Sequence, residues 1–408
     1  MAGNLLNIGK TGLYAAQAGL ATTGHNIANA SVAGFSRQVV IQSTAVGQNT
    51  GSGFIGSGTE IADIQRYSDS FLNAQVRTSQ TTSSSLGAYN AQISQVDNLL
   101  ADTTSGLSPA MQDFFKSVQD MSANASSTPS RQNFLSSAEA LASRFQGING
   151  RLEEIRGGVN SQITSNVTLI NSYATQIAKL NDQIGALTNS TGHAPNDLLD
   201  TRDQLVLDLN KQVKASVVAG ANHSVTVSIG NGQPLVVGGK AFELATTSPA
   251  ADPSRVQVGY VANGSVVPLA DASLTGGELG GLMEFRSATL DPAQNAIGRI
   301  AIGIAATYNA QNALGQESSG AMGGDLFNMA QPEVSDNLSK FPPPVAPAVK
   351  TTVGVTIKDP SALTTSDYMV KYDAKISSFT VTRLPDHTPV KIAPYTAPGP
   401  QTQTIDGL

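Results

Sequence analysis

Cysteine is absent from this 408-residue sequence, which excludes disulfide frameworks and thiolate metal centres and leaves the redox compartment open. Charge is scarce as well. Only 13% of the residues are charged, against roughly 25% in soluble globular proteins, and aromatics make up 5%. The surface must therefore rely on Ser, Thr, Asn and Gln, a coat that suits a protein packed beside copies of itself. A net charge of -6 with no Lys/Arg cluster offers no electrostatic footprint for nucleic acid or an acidic membrane. No stretch approaches the ~18 apolar residues that span a bilayer, which argues against membrane insertion. The N-terminus also lacks the charged segment and unbroken apolar core of a secretory signal peptide, so export would need another route. The length predicts two or three domains.

What is present begins with a heptad. Leu6, Leu13, Leu20 and Ile27 recur at an interval of seven, the seam of a helix. Gly9, Ala16, Thr23 and Ala30 fall three places later and leave one flank open to a close neighbour. The seam is narrow and the helix carries several glycines, each costing about 0.5 to 1 kcal/mol against alanine, so residues 1–35 are expected to be disordered alone and to need an intermolecular partner, the alternative being an ordinary amphipathic helix docked on its own domain. Asn26-Ile27-Ala28-Asn29 and Gly34 end the helix with residues that tolerate a left-handed turn, and the β-prone Val39-Val40-Ile41 follows.

The run from Leu6-Asn7-Ile8-Gly9 through Leu13, Gln17 and Leu20 to Asn26-Ile27-Ala28-Asn29 and Gly34-Phe35-Ser36-Arg37 resembles the amino terminus of the flagellar rod, hook and hook-associated proteins. The Ser36-Arg37-Gln38 ending is most similar to the hook-associated proteins of the hook-filament junction. Phe35, where the family commonly has Tyr, is a mild departure. Three further segments resemble the family: Gly56 through Phe71-Leu72, Asn196-Asp197-Leu198-Leu199-Asp200-Thr201-Arg202-Asp203-Gln204-Leu205, and Gly276 through Phe285-Arg286. The resemblance covers residues 1 to about 330 and is looser beyond.

Gly51-Ser52-Gly53-Phe54-Ile55-Gly56 matches the spacing of a dinucleotide-binding loop, but no apolar strand precedes it and further glycines follow, so it reads as a flexible loop. Ser108-Pro109, Thr128-Pro129 and Asp291-Pro292 predict three helix starts, each with a capping residue before proline. Beyond Thr128, apolar residues step by three and four from Phe134 to Leu187, a run of roughly 80 Å if straight. Gly147, Gly150, Gly157 and Gly158 could bend it. The next helix is expected to turn Leu198, Leu199, Leu205, Val206 and Leu209 inward and Asp200, Arg202 and Asp203 outward, as a solvated face with local ion pairs. Ile297, Ile300, Ile304 and Tyr308 form another stripe, expected to pack on the long helix.

Between Val213 and Leu274 the period changes to two, with Asn231-Gly232 and Asn263-Gly264 as hairpin signals. Phe341 to Pro347 reads as a stiff linker, and the region from Lys350 to Leu408 is β-patterned again. The expected fold is therefore α+β and multidomain: an elongated helical bundle with long coiled-coil-like helices and inserted antiparallel β domains. The expected segments are a heptad helix and turn (1–35), a helical rod with a β excursion (36–212), an inserted β domain (213–275), returning helices (276–340), the linker (341–349) and a second, incomplete β domain (350–408).

No nucleophile, phosphate loop or carboxylate pair stands out, and His25, His193, His223 and His387 lack ligand-like spacing, so neither an enzyme, a cofactor nor a metal site is expected. The resemblance implies a structural subunit of the flagellum. Such a subunit would be exported by the type III route and act outside the cell. It would assemble with copies of itself in a ring and contact hook protein on one side and the next junction protein on the other. Leu6, Leu13, Leu20 and Ile27 would form its assembly surface, with Asn26, Asn29, Gly34 and Arg37 shaping the turn. It also implies a C-terminal helix that pairs with the first helix and lies near the export chaperone contact; this sequence reads as lacking that helix, which predicts weak chaperone binding. The alternative reading is a surface-exposed adhesin carried on the β domains.

Overall fold

The computed structural model describes residues 2–49, 51–102, 106–249, 252–317, 319–335, 353–373, 378–384, 388–392 and 402–408. The proline-rich linker expected at 341–349 and His387 lie outside the described residues. The chain is α+β, and its contacts divide it into two compact units.

The first unit comprises Met1–Ala88, Ile163–Thr247 and Gln257–Gly281. It opens with helix α1 (Ala2–Ala28), followed by β1 (Gln38–Thr44), the short strands β2 (Gln48–Asn49) and β3 (Phe54–Ile55), and β4 (Thr59–Arg66). β1 pairs antiparallel with β4 and β2 with β3, so the glycine-rich run is the tip of a β arm and opens no helix. Helix α2 (Ser70–Leu100) starts in this unit, and α5 (Asn196–Gln212) lies wholly within it. Two meanders follow: β5 (Ala215–Ala219), β6 (Val225–Ile229), β7 (Gln233–Val237) and β8 (Lys240–Ala241); then β9 (Leu244–Thr247), β10 (Gln257–Ala262) and β11 (Ser265–Pro268). Val225, Val227 and Ile229 point inward in alternation, as their spacing predicts. Asn263 and Gly264 make a two-residue β10–β11 turn with φ of 50° and 76°, the left-handed pair a type I′ hairpin requires.

The second unit comprises Tyr89–Gln162, Ser248–Val256 and Leu282–Leu408. Its helices include α3 (Leu107–Ala123) and α7 (Asp291–Ala313), and its sheet is the meander β12 (Asp367–Asp373), β13 (Ser378–Leu384) and β14 (Thr388–Val390). Phe114 of α3 is fully buried against Phe134, Ala138 and Leu141, with Ile304 and Tyr308 of α7 completing the cluster. The expected return of this stripe onto the long helix is therefore present.

That long helix, α4 (Thr128–Thr191), runs unbroken for 64 residues, so its glycines do not split it. The expected stripe is buried at almost every step from Phe134 to Ile184, while Leu187 is exposed. Sustained burial on one face outweighs the intrinsic cost of each glycine.

The three proline signals differ in outcome. α4 starts at Thr128 as expected, although the capping hydroxyl comes from Ser127, whose Oγ accepts from Ser130 N at 3.4 Å. α3 begins one residue before Ser108 with Gly106 as its cap position. No boundary exists at Asp291. Helix α6 (Gly277–Phe285) passes through a π turn (Arg286–Leu290) straight into α7. The wider turn accommodates Pro292, which lacks an N–H and would crowd the preceding turn of a regular helix.

A recurrent device ties extended segments to helices. One asparagine amide both donates to and accepts from the backbone of a neighbouring segment. Asn171 of α4 donates to Leu244 O (2.7 Å) and accepts from Leu244 N (2.9 Å). Asn181 donates to Val225 O and Gly238 O and accepts from Val225 N. Asn160 holds Ser254 and Val256, and Asn309 of α7 holds Leu326 and Phe327, in the same way. Such clamps satisfy backbone groups that a short strand leaves open.

Replacing Asn181 by Leu is expected to strip partners from Val225, Gly238 and Arg202 at once and lower unfolding free energy by about 3 kcal/mol in urea titration. Ile177→Val, a deletion of one methylene from the adjacent buried turn, should cost only about 1 kcal/mol.

Candidate assembly surface

Helix α1 has two opposed faces. Ile8, Thr11, Ala15, Ala18, Thr22, His25 and Asn29 are covered to varying degrees, with Ala15 buried, and they step by three and four along one side. This side lies on the β1–β4 ribbon: Thr59 N donates to Thr11 Oγ1 at 3.3 Å, and Gly58 sits against the Ile8 backbone. Leu6, Leu13, Leu20 and Ile27 lie half a turn round the helix, between 65% and 76% exposed. Four large apolar residues at heptad spacing therefore form a continuous exposed stripe, the candidate interaction surface of this helix. The helix docks on its own unit through small and polar residues and turns the leucine stripe away from it.

The end of α1 is fixed by the turn residues. Asn26 Nδ2 donates to Gln38 O and Gln38 N donates to Asn26 Oδ1, both at 2.8 Å, which locks the last turn to the first residue of β1. Asn29 Nδ2 donates to the carbonyl of His25 at 3.0 Å and closes the helix terminus. Gly34 takes φ +82°, so its backbone favours glycine, and a Cβ there would press on the Gln204 side chain, whose Oε1 would lie 2.9 Å away. Arg37 stacks its guanidinium 4.5 Å from the Tyr67 ring centroid, while Tyr67 N donates to Arg37 O at 2.8 Å. The four turn residues thus act on one bend, and the structure leaves the four stripe residues outside it.

The residues that anchor this bend come from α5 and β4, and sequence reasoning misplaced them. Asp200 and Arg202 are buried, and Asp203 is half-buried, so the expected solvated face is overturned. Asp200 Oδ2 accepts from Ser36 N at 2.8 Å and its Oδ1 from Arg66 at 2.7 Å; Arg66 reaches Asp203 Oδ2 at 2.7 Å with its other terminal nitrogen. Burial works against the Arg66 charge, but the hydrogen bonds and charges of Asp200 and Asp203 outweigh it and hold the guanidinium above its ordinary value. Burial has the upper hand at Arg202, which lies below its ordinary value; Asp203 counteracts this and Arg66 adds to it. Arg202 donates to Asn181 Oδ1 at 3.2 Å and to the carbonyl of His223. Gln38 donates to Asp197 Oδ1 at 2.8 Å, and His25 Nε2 lies 3.4 Å from the same oxygen. Nothing local in α5 signals this hub, because Arg66 lies 134 residues from Asp200. The single available hint is Arg66 at the end of an alternating β strand.

A cleft of about 610 Å³ opens beside this hub, lined by Gln38, Ile61, Asp63, His193, Asn196 and Asp197 among others. Its polar groups are engaged with one another: His193 faces Asp63 at 3.3 Å, and Asn196 donates to Ile64 O at 2.7 Å. Among the described residues, no group of three His, Asp or Glu side chains is placed to hold a metal ion. Likewise, no helix among them is long and apolar enough to cross a membrane.

The family model for the flagellar hook-associated protein FlgK helical domain matches residues 93–327, and that for the flagellar hook-associated protein 1 D2-like domain matches 347–408. The flagellar hook-associated protein 1 of Escherichia coli (strain K12) is 38% identical over 395 residues, covering 96% of this chain and 70% of that protein. The chain belongs to the FlgK family. The namesake from Bacillus subtilis (strain 168) is 28% identical over 353 residues, covering 79% of this chain and 69% of that protein. The solved flagellar hook junction protein FlgK from Burkholderia pseudomallei superposes with a TM-score of 0.71 at 37% identity over 81% of this chain. This chain spans 58% of that one. The FlgK match extends through the β region at 347–408, where motifs in the sequence were weak. Membership makes the chain a structural, non-enzymatic component of the bacterial flagellum.

Arg66→Met is expected to leave the buried Asp200 carboxylate without its cation and to cost about 3 kcal/mol in chemical denaturation. Hydrogen exchange in Gly24–Ala28 should rise with it, since Ser36 and the bend share that carboxylate. Unchanged exchange in this last turn would mean that the hub does not hold α1.

Proposed function

We propose that this chain is a subunit of the junction between flagellar hook and filament. It is exported by the type III route and assembles with copies of itself through the leucine stripe of α1. The observation that carries this reading is the uncovered heptad Leu6, Leu13, Leu20 and Ile27 on a helix whose opposite face is already docked. Its partners are copies of the chain in a ring, with hook protein on one side and the next junction protein on the other. FlgK membership and the likeness to the Burkholderia hook junction protein support the location.

The role is mechanical. The stripe supplies contact between subunits, and the Asn26–Gln38 clamp with the Asp200 hub fixes the angle at which the stripe is presented. Few charges and many amide and hydroxyl side chains let neighbouring copies approach without large desolvation penalties.

Deleting the gene in the source bacterium should give hooks without filaments and flagellin shed into the medium, both restored by the intact gene. Normal filaments would sink the reading. The surface itself is tested by Leu13→Asp with Leu20→Asp, which puts two charges into the stripe without touching the docked face. The variant subunit should be exported, stay folded by circular dichroism and fail to enter the flagellum.

A further inference from the structure

Asn-Gly occurs three times in the sequence, at Asn149-Gly150, Asn231-Gly232 and Asn263-Gly264. In each pair the glycine amide stands next to a side-chain amide carbon that it can attack, since no Cβ shields it. Attack needs a glycine N–H free to lose its proton and an asparagine whose backbone can turn. The fold withholds these from two of the pairs. Gly150 lies inside α4, where its N–H belongs to the helical ladder, the Cβ of Asn149 tilts back towards the helix start, and Asn149 Oδ1 accepts from Gln294 at 3.1 Å. Gly232 donates its N–H to Ile229 O at 3.1 Å, and Ile229 is buried, so that turn is anchored. Asn263 and Gly264 are both exposed, and among the described residues neither the Gly264 N–H nor the Asn263 side chain has a hydrogen-bond partner. They form the tip of a hairpin whose second strand, β11, is an edge strand exposed at every residue.

We propose that Asn263-Gly264 is a self-modification site, at which the folded chain converts its own asparagine to isoaspartate or aspartate and loosens β11. Gly264 N gives its proton to hydroxide and forms a bond to Asn263 Cγ; the Cγ–Nδ2 bond breaks, and the nitrogen leaves as ammonia. Water then opens the succinimide ring. Opening at the main-chain carbonyl leaves isoaspartate, whose main chain runs through Cβ and Cγ, and opening at the Cγ carbonyl leaves aspartate. One water is consumed and one ammonia released, with no change of oxidation state. Either product places a carboxylate within residues 256–270, where no charged residue occurs. Isoaspartate also adds one atom to the main chain of a turn that fits two residues, with φ of 50° and 76°, so the pairing of Ala262 with Ser265 and of Val261 with Val266 loses its register.

The three pairs are their own controls. The full-length protein is held folded at mildly alkaline pH and, in parallel, unfolded in guanidinium chloride, and samples are digested with trypsin over time. Trypsin puts the pairs in separate peptides, 145–151, 215–240 and 256–286, so mass spectrometry follows each one alone. Unfolded, the three should convert at similar rates, because the dipeptide is the same. Folded, Asn263 should convert at least about tenfold faster than Asn149 and Asn231, which react only when their turns open. Isoaspartate is read by methyl transfer from an isoaspartyl methyltransferase, and Asn263→Gly, which keeps the left-handed turn, should remove that signal. Amide exchange in β11 should rise in the converted protein. Asn263 as protected as the other two in the folded protein, or either of those converting first, overturns the site; conversion without faster exchange in β11 overturns the loosening.

Discussion

Helix α1 has two faces to satisfy, and the described residues of its own unit cover only one of them. With glycine at 9, 12, 19 and 24, its sequence is a poor helix on intrinsic grounds, so its shape and direction must come from what it touches. The docked face meets that need with Ala15 for close approach, Thr11 for a hydrogen bond to the ribbon, and Asn26 and Asn29 for the terminus. Had the docked side carried the leucines, the helix would hold more firmly to its own unit and the exposed stripe would be lost. The surrounding ribbon, bend and hub hold the largely small and polar inner face in place and leave the apolar outer one exposed.

Charge in the hub sets direction more than it adds stability. A buried ion pair recovers its desolvation cost only with good geometry and satisfied neighbours, and an apolar cluster would often hold the same elements at least as strongly. Arg66, Asp200, Asp203 and the Ser36 N–H join the end of β4, the middle of α5 and the turn after α1, and each bond has a required direction. Apolar contacts would tolerate a slide of the bend along α5; this arrangement does not. The asparagine clamps follow the same logic with neutral groups. In a chain with few charges, an amide that both donates and accepts pins a short strand to a helix in one register without burying an ion.

Much of the architecture was legible because it is periodic. The α4 stripe, the alternation in β6, the Asn263-Gly264 turn and the heptad of α1 all rest on local signals, most of them repeated over many residues. What was illegible depends on pairs distant in sequence. Asp200 and Arg202 sit at polar positions of α5, which locally reads as a solvated face, and only the arrival of Arg66, Ser36 and Asn181 turns it into an interior. The partners of Asn171 and Asn181 are likewise 73 and 44 residues away. Pro292 misled for another reason: a capping signal cannot distinguish a helix start from a helix that widens for one turn. For the candidate surface, its four stripe residues were legible from spacing, while the geometry that presents them was not.

The width of the stripe sets how strong one contact can be. In α4 the apolar residues step by three and four, and the helix buries a full face; in α1 the outward stripe itself has one large residue in seven, with Leu5 and Tyr14 exposed on either flank. Covering such a stripe contributes roughly 1.5 to 3 kcal/mol per residue, so four residues give about 6 to 12 before the cost of association is subtracted. That cost is itself about 4 to 15 kcal/mol, which leaves a single pair of copies weakly bound at best. Many copies meeting at once change the balance, because each added subunit loses its freedom once and gains contacts on more than one side. In the proposed assembly, a narrow, uncharged stripe would therefore hold firmly only where several neighbours meet together.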